Sequence, residues 1–76
     1  MSKQEARSDI IKYLQAQEPE YFAKRSTTYF DVVGNEDVMQ NLVEEYMRCV
    51  NRYGCDREWS CKDACDNDPG FYPDYD

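Results

Sequence analysis

Ala6, Ile10, Tyr13 and Leu14 fall at the i, i+4, i+7 and i+8 positions of one helical stripe. Ser2 precedes them with Glu5 three residues on, the pattern of a capping box. Glu18-Pro19 closes the segment, because a residue before proline is driven out of helical geometry. The pattern predicts a first helix over about residues 3 to 17. Pro19 then suits the opening position of a second helix, on which Phe22, Tyr29, Phe30 and Val33 share a stripe. The run from Ser26 to Val33 is rich in β-branched and aromatic residues, so a short extended piece competes for the second half of that helix.

Gly34-Asn35 is the clearest break in the chain. Gly34 fits the left-handed position that ends one helix, and Asn35 fits the cap that opens the next. Glu36 and Asp37 then sit where the helix dipole favours negative charge. Val38, Met39, Leu42, Val43, Tyr46, Met47, Val50 and Tyr53 recur at three- and four-residue intervals up to Gly54, which predicts a long helix over about 36 to 53. A shorter helix follows, with Asp56 or Ser60 as cap and Trp59, Cys61, Ala64 and Cys65 as contact residues. Past Cys65 two prolines and a glycine interrupt a stretch without periodicity. The expected architecture is all-α: a single domain over residues 1–65, built as a three- to four-helix bundle with a cysteine-clamped C-terminal hairpin, and an extended acidic aromatic tail over 66–76.

At 76 residues the chain has a small core, and such domains usually lean on a staple, a metal or a partner. Histidine is absent, which removes an imidazole base, a His-assisted nucleophile and a mixed Cys/His metal site. The expectation is therefore a protein that binds rather than catalyses, with no cofactor. Mean hydropathy is −0.97 and no apolar run approaches the twenty or so residues of a membrane span. The charged first nine residues are followed by no apolar segment and do not read as a secretory signal. The location expected is intracellular: the cytoplasm, or the mitochondrial intermembrane space if the cysteines are oxidised.

Charge is unevenly placed. Net charge is −7, yet residues 1–25 carry five cations and four anions while residues 49–76 carry three and seven. Such an acidic end is drawn to basic surfaces and repelled by nucleic acid and anionic lipid, so direct nucleic-acid binding and membrane insertion are not expected.

Cys49, Cys55, Cys61 and Cys65 form the one cluster with possible chemistry. A hairpin through Gly54 would permit the nested disulfides Cys49–Cys65 and Cys55–Cys61, although four cysteines allow three connectivities. Four thiolates would also suit tetrahedral zinc, but neither pair has the two-residue knuckle spacing of most structural zinc sites. Four reduced thiols are the third state. The disulfides are the expectation carried forward, with no metal.

Candidate partner-binding residues are Glu44 and Glu45 on the long helix, and Asp66, Asp68, Phe71, Tyr72, Asp74, Tyr75 and Asp76 in the tail, where aromatics interleave with acids. Lys24-Arg25 beside Tyr21 and Phe22 forms a small basic-aromatic spot, equally readable as a solvated helix end. The function expected is that of a non-enzymatic acidic interaction protein that binds a basic surface of a protein partner. One version is an inhibitor that mimics nucleic-acid charge, of the phage anti-host type. The alternative is a disulfide-stapled accessory subunit of a larger complex, for example in the intermembrane space.

Overall fold

Ser2 starts the first helix: its Oγ accepts the Glu5 N–H at 3.2 Å. In the computed structural model, which describes residues 1–68, 70 and 71, α1 runs Lys3–Gln15 and buries Ala6, Ile10 and Leu14. The capping box is one-sided, because the Glu5 carboxylate turns to Arg57 at 3.2 Å rather than back to Ser2.

The second predicted helix divides into α2 (Pro19–Ala23) and α3 (Tyr29–Val33). Ser26 is the cause. It adopts a left-handed φ of 57°, its N–H bonding Ala23 O at 3.0 Å while the Thr27 N–H bonds Phe22 O at 3.1 Å. That is a Schellman ending with serine where glycine is usual. Thr28 is extended and its hydroxyl accepts the Asp31 N–H, opening α3. No strand occurs among the described residues.

Gly34 does not take the left-handed conformation expected of it, since its φ is −87°. Space, not φ, favours glycine there: a Cβ would lie 3.0 Å from the Phe30 carbonyl oxygen. Asn35 caps as expected, its Oδ1 accepting the N–H groups of Asp37 and Val38. Helix α4 follows over Glu36–Met47, burying Met39, Leu42, Val43 and Tyr46.

The helix does not continue regularly to Tyr53. Arg48–Arg52 form a π-helical turn, and a wider turn carries later residues off the stripe set by Met39 and Tyr46. Tyr53, expected in the core, is consequently 64% exposed. Gly54, at φ 67°, ends the turn, with its own N–H on Val50 O and that of Cys55 on Cys49 O at 3.2 Å.

Helix α5 spans Arg57–Asn67, with Asp56 as cap through the Trp59 N–H. Its buried face is Ser60, Cys61, Ala64 and Cys65, whereas Trp59, expected among the contacts, is 53% exposed. Helices α1 and α5 both pack on α4 and touch one another, and α3 lies against α1 and α4. One apolar cluster fills the space between them, joined by Phe22, Val32 and Phe71. The Cα radius of gyration is 11.5 Å, the value of about 11 Å expected for a compact chain of this length. No helix among the described residues is long and apolar enough to cross a membrane.

Candidate functional site

The four cysteines are free thiols, so the nested disulfide clamp is not formed. Helix geometry gives the reason. The Cys49 thiol meets Asp63 Oδ2 at 3.5 Å, and Asp63 is two residues from both Cys61 and Cys65, about 200° around α5 from each. Cys61 and Cys65 face inward, with Cys61 Sγ 3.9 Å from the Asp9 carbonyl, while Cys49 approaches the other side of the helix. Among the described residues no group of three Cys, Asp or Glu side chains converges to hold a metal. Burial pushes the thiols up, Cys49 and Cys61 to about 11 and Cys65 to about 12. The two buried thiols, Cys61 and Cys65, are packing groups at neutral pH.

What binds the C-terminal end to the body is Arg25. Instead of lying on a solvated helix end, it is 7% exposed and its guanidinium carbon sits 3.7 Å from the centre of the Tyr21 ring and 5.1 Å from that of Phe71. Nη2 reaches Asp66 Oδ1 at 2.9 Å and Nη1 donates to Tyr21 O at 3.0 Å. Asp68 is buried and its Oδ1 accepts the Gly70 N–H at 3.0 Å. The Phe71 N–H bonds Asp68 O at 3.0 Å, delivering a ring that is 2% exposed. Three residues expected to meet a partner therefore have internal employment: Asp66 in an ion pair, Asp68 in a turn and Phe71 in the core. The extended tail does not begin at residue 66. Tyr72, Asp74, Tyr75 and Asp76 lie outside the described residues.

A second polar cluster ties α1 to α4 and α5. The hydroxyl of the buried Tyr46 donates to Asp9 Oδ2 at 2.6 Å, and Arg57 lies 3.4 Å from the same oxygen. These groups line a shallow cleft of about 380 Å³ with Lys12, Tyr13 and Gln17. Burial, and then the bond to Asp9, raise the Tyr46 hydroxyl well above its ordinary range. It stays a neutral donor, a structural role.

The exposed chemistry lies on the opposite end of α4. Phe30 is 80% exposed on a short helix whose two ends are hydrogen-bonded. Its helix is capped by Thr28, the Gly34 N–H bonds the Phe30 carbonyl at 3.0 Å, and its ring stands edge-on to Tyr29 at 5.3 Å, which meets the buried Phe22 in the same way. Around it Asp31, Gly34, Asn35, Glu36 and Asp37 line an open concavity of about 500 Å³. Asp31 and Asp37 have no ion-pair partner among the described residues, and Glu36 pairs with Arg7 at 2.6 Å. Glu36 also borders a second groove, of about 350 Å³, that runs between α1 and α4 past Gln40 to Glu44. Glu45 turns away to pair with Arg48. Of the expected partner-binding residues that are described, Glu44 adjoins this face through the groove and the buried Phe71 lines a smaller cleft that Asp31 and Asn35 share.

Sequence reasoning missed Phe30 by placing it on a buried stripe. The signal was present in Thr28, a good cap: a helix that begins at Tyr29 has a different phase from one that begins at Pro19. No protein-family model matches the chain, and no curated protein or solved structure is similar to it.

Proposed function

We propose that the protein is a binding protein whose face around Phe30, Asp31, Glu36 and Asp37 docks on a basic surface of a protein partner. The observation that carries this reading is the large exposed aromatic ring held within an acidic rim. Burying an exposed Phe supplies the kind of central aromatic contact that dominates interfaces. The carboxylates steer association and fix the sign of the partner's charge. The groove toward Glu44 extends the same surface.

Inhibition by charge mimicry is the specific form of this reading, with the carboxylates of Asp31, Glu36 and Asp37 standing where phosphates would. Clustered carboxylates beside a stacking ring present what a basic nucleic-acid site accepts. The other reading, a disulfide-stapled accessory subunit, loses its staple because the thiols are unpaired.

The test is capture from a lysate of the source cells on immobilised wild-type protein and on Phe30→Ala, eluted in steps of rising salt. A partner should be retained by the wild type, released as salt rises, and bound by the variant about 30-fold more weakly, the equivalent of roughly 2 kcal/mol. Equal retention by the variant, or retention indifferent to salt, would contradict the proposal. If the partner binds nucleic acid, the wild-type chain should displace it.

A further inference from the structure

The two half-buried thiols, Cys49 and Cys55, occupy the two ends of one turn. The Cys55 N–H bonds the Cys49 carbonyl at 3.2 Å across Gly54, whose φ of 67° folds the chain back on the π turn. With standard bond lengths on either side, that hydrogen bond holds the two Cα atoms within about 7 Å of each other, the upper edge of the span that a disulfide bridges. Cys61 and Cys65 are buried in the core and shielded from a reagent in solution.

We infer that Cys49 and Cys55 are a redox pair, which a small-molecule disulfide closes into an intramolecular bond across the Gly54 turn. The pairing differs from both bonds that the spacing suggested. In the first step the Cys55 sulfur attacks the small disulfide: one sulfur–sulfur bond breaks, a mixed disulfide forms, and a small thiol leaves with the proton that Cys55 gave up. In the second the Cys49 sulfur attacks the Cys55 sulfur of that adduct and expels a second small thiol. Two cysteine thiols are oxidised by two electrons in total, and one small disulfide is reduced to two thiols. The closed bond fastens the start of the π turn to the link into α5.

The test uses the full chain under native conditions in oxidised glutathione, quenched with an alkylating reagent and digested with trypsin. Cleavage after Arg48, Arg52, Arg57 and Lys62 puts each cysteine in its own peptide. The expected product is about 2 Da lighter than the reduced chain, with peptide 49–52 joined to peptide 53–57, and with Cys61 and Cys65 alkylated only after denaturation. Cys55→Ser should remove the mass loss and leave Cys49 as a glutathione adduct or unreacted. The inference is overturned by stable glutathione adducts on both residues without a link, by no reaction, by a link to Cys61 or Cys65, or by a mass loss that survives in Cys55→Ser.

Discussion

Arg25 and Asp66, forty-one residues apart, meet at 2.9 Å with the guanidinium packed on the Tyr21 ring. This pair does the work that a cysteine clamp was expected to do. It fixes the last turn of α5 to the end of α2, and the Phe71 ring lies beside the guanidinium, 5.1 Å from its carbon.

Removing the Asp66 carboxylate takes a counter-charge from the buried Arg25. Asp66 is itself about one-third exposed, so Asp66→Ala should cost about 2–3 kcal/mol, at or just below the range for breaking a fully buried pair. Lys62→Ala, which removes the exposed partner of the same carboxylate, should cost under about 0.5 kcal/mol. Urea denaturation of both variants checks the contrast, and equal costs would show that the buried pair is not the clamp.

Phe71→Ala should destabilise by about 3–4 kcal/mol, the ordinary cost of emptying a buried aromatic site. A loss below about 1 kcal/mol in the same denaturation experiment would mean that residue 71 is not part of the core.

Among the described residues Ser26 and Gly54 take left-handed backbone, and their substitutions should act in opposite senses. Ser26→Gly relieves strain and should raise stability by about 0.5–1 kcal/mol, whereas Gly54→Ala should cost about 1–2 kcal/mol, although nothing lies within 4 Å of the added methyl group. Thermal midpoints of the two variants give the signs directly.

Alkali should unfold the protein. Burial raises the Cys65 thiol from 9.0 to about 12 and the Cys61 thiol to about 11, so the folded chain holds protons that the unfolded chain gives up from pH 9 upward. The stability is complete below pH 9 and is lost as pH climbs toward 11–12. Tyr21 and Tyr46, both raised by burial, add to the same slope above pH 10. The urea midpoint should be flat between pH 7 and 8.5 and fall by pH 10, and the fall should be shallower in Cys65→Ala. A midpoint that rises with pH would reverse the sign.

Much of the framework is legible in the sequence because caps and stripes are local. Ser2 and Asn35 open their helices where expected, and Ile10, Leu14, Met39, Leu42 and Tyr46 are buried as their spacing predicts. The failures share a cause. A π turn, a serine in left-handed backbone and an ion pair spanning forty-one residues are set by hydrogen bonds and contacts that periodicity does not encode. They expose Tyr53, Trp59 and Phe30 and bury Arg25 and Phe71, which exchanges the roles of the helical stripe and the supposed tail. The acids divide between fold and surface in a way their spacing does not encode: Asp66 and Asp68 serve the fold, while Asp31 and Asp37 face solvent beside Phe30, on the face proposed to bind.

The most direct test of the acidic aromatic face is an amide chemical-shift map of the isotope-labelled chain on adding the partner retained by wild type and weakened by Phe30→Ala. The amides of Phe30, Asp31, Gly34, Asn35, Glu36 and Asp37 should shift most, with smaller changes toward Glu44 and none at Asp66. Shifts that gather around Tyr53 and Trp59, or around Asp66 and Phe71, while residues 30–37 stay unmoved, would contradict it.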